Sequence, residues 1–394
     1  MKRRYLLQSL AAAPLAVGSA RLFAAPAAGS RFLLVFLRGA YDCCSLLVPT
    51  SSSFYYESRP DIAIARPGAD ASAALALNAD WGLHPVLRDS IYPIYQRGEL
   101  ALVPFAGTND TTRSHFETQD TIEMGQPLAG AHNYHSGFMN RLAGVVSGAA
   151  PMAFTAQVPL SMQGKVQVAN MALAVVGRSA IDAHQSQLIA SMYQGNALAS
   201  RVHEGFAVRD QVMGDLQAEM KASGRNAVST RGFGAEARRI ARLMADRYNI
   251  GFVDVGGWDT HVNQGGAQGY LANRLGELGQ GLAAFAQELG PAWQDTTVVV
   301  VSEFGRTFRQ NGNHGTDHGH GTVYWVLGGS VRGGRIAGEQ VRVEQATLFQ
   351  NRDYPVLNEY RAVLAGLFAR QFGLGAGQLG QVFADVKPRD IGLV

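Results

Sequence analysis

The stretch Thr297-Val298-Val299-Val300-Val301-Ser302-Glu303-Phe304-Gly305-Arg306-Thr307-Phe308-Arg309-Gln310-Asn311-Gly312-Asn313-His314-Gly315-Thr316-Asp317-His318-Gly319-His320-Gly321 decides how the chain is read. Its first five residues form an unbroken β-branched run, the pattern of a strand covered on both faces. Ser302 and Glu303 then place polar groups at the carboxyl end of that strand, and Gly305 permits a sharp turn. In open α/β sheets, ligands bind outside these carboxyl ends. If Asp317 to Gly321 is locally extended, His318 and His320 point to the same side, since side chains alternate along an extended chain. Two imidazoles beside Asp317 and within reach of Glu303 suit a divalent cation, zinc first, with manganese or calcium as alternatives.

Four more apolar runs resemble the first: Arg31–Leu37, Leu100–Phe105, Ile250–Val255 and Val323–Leu327. Helical patterns separate most of them, near Val86–Gln96, Thr118–Met124, Leu271–Leu289 and Glu359–Phe372. This alternation predicts a three-layer α/β/α sandwich with a mostly parallel central sheet. Residues 179–248 read as a helical excursion on a single domain spanning 31–394, and the Ser-, Pro- and Tyr-rich loop Pro49–Pro67 reads as part of a lid. The turn Gly328–Gly334 lacks the spacing of a nucleotide-phosphate loop.

Polar clusters recur just beyond these strands. Arg38 to Asp42 ends the first with one carboxylate, and Gly257-Trp258-Asp259-Thr260-His261 ends the one beginning at Ile250. In Thr112-Arg113-Ser114-His115-Phe116-Glu117, Thr112 or Ser114 caps the following helix, with Glu117 completing a capping box to Ser114. Backbone N–H groups gather at a helix amino terminus and attract anions, so a hydroxyl there is either a cap or a nucleophile facing a phosphate or sulfate. Gly130–Arg141, with His132, His135 and Asn140, is placed on the same rim.

The 394 residues suffice for a large core, and 47% hydrophobic residues argue against disorder. A net charge of +3, with the basic residues scattered, argues against nucleic-acid binding. Residues 1–27 carry Lys2-Arg3-Arg4, a weakly apolar Ser9–Ala20 and the small-x-small site Ala25-Pro26-Ala27, which resembles a twin-arginine export signal. No other apolar run is long enough to span a bilayer. The expected product is a periplasmic or secreted protein, carried folded by the twin-arginine translocase. Cys43 and Cys44 are adjacent, with Cα atoms about 3.8 Å apart, too close for ordinary disulfide geometry, so they read as small apolar filler.

Taken together, Arg38–Asp42, Arg113-Ser114-His115-Phe116, Gly257–His261, Ser302-Glu303-Phe304-Gly305-Arg306-Thr307 and Gly315-Thr316-Asp317-His318-Gly319-His320-Gly321 resemble the domain-of-unknown-function 1501 family over nearly the whole mature chain. That family is grouped with the alkaline phosphatase and sulfatase superfamily, so the resemblance implies that fold with a metal site at the carboxyl ends of the central strands. It implies Asp42 as the first-strand metal carboxylate and Ser114, or secondarily Thr112, as nucleophile. It also implies Asp259 and His261 as one ligand pair, and His318 or His320 as the late histidine. Glu303 falls where many members carry an Asp-His-Gly motif. Phe304 follows it here, leaving the site one ligand short of a complete two-metal centre. Neither cysteine has the context that conversion to formylglycine requires, which excludes that class of sulfatase.

The implied activity is metal-dependent hydrolysis or transfer of a phosphate, sulfate or related ester. Asp42, Asp259, His261, Glu303, Asp317, His318 and His320 are the candidate metal residues. Ser114 or Thr112 would attack, His115 would move a proton, and Arg113 or Arg306 would neutralise the anion. The other expectation is an envelope binding or assembly protein that keeps the fold without catalysis.

Overall fold

The computed structural model describes residues 29–173, 183–196, 198–202, 204–207 and 232–394. Residues 1–27, where an export signal was expected, and much of the expected helical excursion lie outside the described residues. Of the excursion, the helices Ala183–Met192 and Phe233–Asp246 are described.

A nine-stranded sheet organises the chain. Its strands are β1 (Arg31–Leu37), β2 (Leu100–Gly107), β3 (Pro151–Ala153), β4 (Ala169–Asn170), β5 (Ile250–Val255), β6 (Thr296–Ser302), β7 (Thr322–Leu327), β8 (Arg335–Ile336) and β9 (Asn358–Glu359). The spatial order is β8-β2-β7-β6-β1-β5-β3-β4, with β9 also paired to β2. β1 lies at the centre, parallel to both β5 and β6. Only β7 runs against its neighbours, β2 and β6. No helix separates β6 from β7, so the chain returns beside β6 without the crossover that parallel pairing needs.

The sheet is covered by helices on both faces. Along β1 the alternation is direct: Leu33, Val35 and Leu37 join one core, and Phe32, Leu34 and Phe36 the other. The first face packs against Ile240 and Met244 of Phe233–Asp246 and against Leu275, Leu278 and Leu282 of Tyr270–Leu289. The second packs against Phe138 and Leu142 of Phe138–Val145, and against Leu364 and Phe368 of Tyr360–Gln371. Val298 to Val301 are all about 1% exposed or less, as the β-branched run predicts. Each such side chain contributes roughly 1.5–3 kcal/mol by leaving water.

Several expectations are corrected in detail. The helix read at Val86–Gln96 is a short 3₁₀ turn, Pro85–Leu87, followed by the α-helix Ile91–Gln96. The Pro49–Pro67 loop contains the helix Ser53–Ser58, and Tyr55, Arg59, Ile62 and Ile64 are buried. Phe54 stacks on Phe308. This packing makes the segment a wall of the fold, where a lid was expected. Cys43 and Cys44 are free and buried in the short helix Cys43–Leu46. Among the described residues, no helix is long and apolar enough to cross a membrane.

Candidate metal centre

The carboxyl ends of β1, β5 and β6 meet at one place. The turn after β5 delivers Asp259 and His261, the amino terminus of the helix His115–Met124 delivers His115, and the loop between β6 and β7 delivers His318. His115, Asp259 and His318 bring one ligand atom each within 4.8 Å of one another. His261 Nε2 lies 2.9 Å from Asp259 Oδ1 and 3.1 Å from His318 Nε2. Asp259 Oδ1 is 3.6 Å from His318 Nε2, and its Oδ2 is 3.7 Å from His115 Nε2.

The outward nitrogens of the three rings are all held by acceptors. His115 Nδ1 meets Glu303 Oε1 at 2.8 Å, His261 Nδ1 meets Asp317 Oδ1 at 3.1 Å, and His318 Nδ1 meets the Arg113 carbonyl at 3.0 Å. A carbonyl or carboxylate oxygen can only accept, so each Nδ1 carries a hydrogen, and Nε2 is the atom each ring has left to offer a cation at the centre. The Nε2 atoms of His261 and His318 approach to 3.1 Å, a separation that a shared hydrogen or a cation between them satisfies. His115 Nε2 is buried and has no hydrogen-bond partner. Tetrahedral zinc with bonds of about 2.0–2.1 Å spaces its ligands roughly 3.3–3.4 Å apart, in the middle of the separations found here. The residues therefore fit a zinc-like cation, with outer partners of the kind that orient metal-bound histidines.

Burial alone would raise the Asp259 carboxyl, but Arg306, His261 and His115 outweigh it and hold the group below the usual carboxylate value. Burial, with the His115 and Arg306 charges, lowers His318 from the usual imidazole value and keeps it neutral. Burial would likewise raise Glu303 and Asp317, and their hydrogen bonds bring both below normal. Asp259 retains 47% of its side-chain exposure, so the cluster opens to solvent on one side.

Two glycines make the approach possible. Gly39, with φ +118°, would carry a Cβ only 2.9 Å from the Asp259 backbone nitrogen. At Gly319 a Cβ would sit 2.5 Å from the Arg306 backbone. Arg113 and Ala40 hold left-handed φ values of 55° and 56° without being glycine, each at a cost of order 1–3 kcal/mol. The Ala40 carbonyl is fixed by Arg306, and the Arg113 side chain by Asp353.

The remaining expected site residues divide sharply. Asp42 is fully buried, away from the cluster, and its oxygens accept from Arg59 at 2.5 and 3.0 Å, Gln264, Ser45 and the Cys44 backbone. Arg59 stands where a metal was expected, so Asp42 is a structural anion. Glu303 and Asp317 are outer partners of His115 and His261 rather than convergent ligands, and Asn311 also donates to Asp317. His320 does not share the side of His318; it is buried against Phe349 with ring centroids 4.8 Å apart. The segment is irregular, with one isolated bridge at His318, so alternation with period two does not apply. His115 turns out to be a convergent ring, a role the sequence left to proton transfer. A signal existed: it follows a helix cap with Glu303 as an available carboxylate partner.

Neither arginine is free to clamp an anion. Arg306 is 1% exposed and donates to the carbonyls of Gly39, Ala40 and Thr316 and to Asp259, tying three loops together. Arg113 donates from Nε and Nη2 to one oxygen, Asp353 Oδ2, and from Nη2 to Gln350 as well. Ser114 caps the helix, its Oγ accepting from Glu117 N at 3.5 Å, and Thr112 Oγ1 accepts from the Ser114 backbone. Asn140 is buried and donates to Met162 and Val166, and His132 meets the Pro127 carbonyl, so these two are scaffold, while His135 is exposed. Phe304 is 2% exposed and stacks on His115 at 5.0 Å, forming an apolar floor beneath the rings.

The family model described as "Protein of unknown function (DUF1501)" matches residues 30–384. No curated protein matches the chain. Among solved structures, "Crystal structure of Ps i-CgsB in complex with k-i-k-neocarrahexaose" is 9% identical at a TM-score of 0.36, covering 89% of this chain and 74% of that one. "Crystal structure of Ps i-CgsB" is 10% identical with the same TM-score and coverage. Superposition at that level carries no argument about fold or activity.

Proposed function

The chain belongs to the DUF1501 family, and on that footing we propose that His115, Asp259, His261 and His318 hold one divalent cation, zinc before manganese or calcium, in an exported hydrolase or transferase acting on phosphate, sulfate or related esters. One observation carries this reading: three imidazoles with acceptor-held Nδ1 atoms turn their Nε2 atoms toward a single, partly exposed carboxylate. Outer partners of this kind orient histidines that hold a metal. The alkaline phosphatase-like assignment of the sheet and the periplasmic or external address belong to the same proposal, resting on the motifs and on the twin-arginine leader.

A bound cation would supply polarisation of the ester oxygen and activation of the attacking oxygen. Glu303, Asp317 and the Arg113 carbonyl keep the three Nδ1 protons in place. Ser114 presents its hydroxyl at a ten-residue helix, beside His115 and among free backbone N–H groups that favour an anionic transition state. Its cap bond at 3.5 Å is long enough to be exchanged for a substrate contact. With Arg59 seated on Asp42, a single cation is expected, and Arg306 serves as scaffold.

A second reading has its own observation. Arg306 Nη1 lies 3.4 Å from His261 Nε2 and Nη2 contacts Asp259, so the guanidinium itself offers the positive charge between these groups. That arrangement favours an envelope binding or assembly protein without metal chemistry. Elemental mass spectrometry of protein purified without chelator separates the two. Stoichiometric metal, absent from His318→Ala, supports the first and justifies screening aryl phosphate and sulfate esters against a Ser114→Ala control. Protein that carries no metal and cannot be loaded removes the hydrolase reading.

A further inference from the structure

A line of polar groups leads away from the cluster and is not explained by ligation. Arg38, the first residue past β1, donates from Nε to Asp254 Oδ2 at 2.6 Å and from Nη2 to Glu123 Oε1 at 2.9 Å. Its Nη1 donates to Gln119 Oε1 at 2.8 Å. Gln119 Nε2 donates to Glu303 Oε1 at 2.8 Å, and the same oxygen meets His115 Nδ1 at 2.8 Å. Gln119 sits four residues after His115 on one helix, so both side chains fall on one face.

The polarity of each link is forced by the one before it. A guanidinium has no acceptor, so Gln119 must show its oxygen to Arg38 and its amide hydrogens to Glu303. Glu303 Oε1 also receives the Gly39 backbone N–H at 2.8 Å, and Oε2 receives the Ser302 hydroxyl at 2.8 Å. Surrounded by donors, Glu303 is held as an acceptor. His115 must then carry a hydrogen on Nδ1, so that in the neutral ring Nε2 is the lone-pair atom, and it faces Asp259.

We propose that Arg38 and Gln119 are positioning residues that set the tautomer of His115 through Glu303. Neither touches the cluster. The relay is a property of the metal-free protein; only its use, readying Nε2 for a cation, rests on the metal reading. Ion pairs with Asp254 and Glu123 lock Arg38, so the far end of the relay is anchored to the carboxyl end of β5 and to the third turn of the helix that carries His115.

The test uses histidine labelled with ¹⁵N in the metal-free full chain, with the His115 signals assigned by their loss in His115→Gln. Long-range ¹⁵N–¹H correlation should show the Nδ1–H form for wild type. In Gln119→Leu a substantial Nε2–H population should appear, and zinc affinity by competition titration should fall roughly 10–100-fold, the range for an outer partner. Gln119→Glu, nearly the same shape but unable to donate while ionised, should shift the tautomer in the same sense and serves if the leucine variant does not fold. A merely structural role would lower thermal stability and leave the tautomer unchanged. An unaltered Nδ1–H form in the folded variants overturns the relay. A tautomer shift in a protein that binds no zinc upholds the relay and removes the metal reading.

Discussion

Two carboxylates stand at the ends of neighbouring parallel strands and have opposite fates. Asp42 follows β1 and meets a guanidinium: Arg59 reaches it across the Ser53–Ser58 segment, both side chains are fully buried, and every oxygen is taken. Asp259 follows β5 and meets imidazoles, with only one oxygen fixed by Arg306 and half of its side chain in solvent. The sequence context is alike, a carboxylate within five residues of a strand end. What differs is the partner. An arginine is a permanent cation that closes a site, whereas an imidazole can give up a proton and offer its lone pair to a cation from outside.

The sharpest way to break this contrast is to remove each member and measure both metal and stability. Asp259→Ala and His318→Ala should each weaken zinc binding by more than about 100-fold, beyond what an outer partner accounts for. His320→Ala should leave it within a few-fold, because His320 packs on Phe349 away from the cluster. Equal losses at His318 and His320 would restore the alternating loop that the structure rejects. Asp42→Ala should bind zinc normally when folded, yet lose about 3–5 kcal/mol of stability in urea unfolding, since it strands the Arg59 charge. Loss of zinc with stability unchanged would make Asp42 a ligand after all.

His84 sharpens the same contrast by pH. It sits behind Asp42, accepting from Val86 N and donating to the Gly266 carbonyl, and burial pushes it down to about 4. Since the folded value lies below the unfolded one of 6.5, the folded protein binds fewer protons between these limits. Stability therefore falls as pH drops from 6.5 to 4, by about 3 kcal/mol from this group. Comparing urea unfolding at both ends, His84→Gln should lose correspondingly less than wild type; an identical loss removes His84 as the source. The smallest effect concerns Ser114→Ala, where losing a long cap bond should cost about 0.5–1 kcal/mol. If ester hydrolysis is found, it should vanish in that variant with the metal retained, and surviving turnover would transfer the attacking role to water.

The sheet was legible because burial on both faces writes continuous apolar runs: β1, β5 and β6 fall within a residue of the stretches read from sequence. The short strands β3, β4, β8 and β9 carry two or three residues each and leave no such pattern. At the site, Asp259, His261 and His318 were readable because carboxylate and imidazole cluster just past strand ends. Asp42 was misassigned because its partner lies 17 residues away in a segment whose composition suggested a loop. Gln119 was invisible, since an amide in mid-helix gains its meaning only from Arg38 on one side and Glu303 on the other.

The central place of β1 has a consequence in time. Its two neighbours, β5 and β6, begin more than two hundred residues later in the chain. At ribosomal speeds of roughly 5–20 residues per second, the first strand emerges on the order of ten to forty seconds before either neighbour exists. Until then Phe32, Leu34 and Phe36 have no sheet to join, and the chain is a client for any factor that shields apolar segments. The histidines and Asp259 cannot converge earlier than this pairing, so acquisition of a cation would report that the chain has been made at least as far as His318 and that β1 has found its two neighbours.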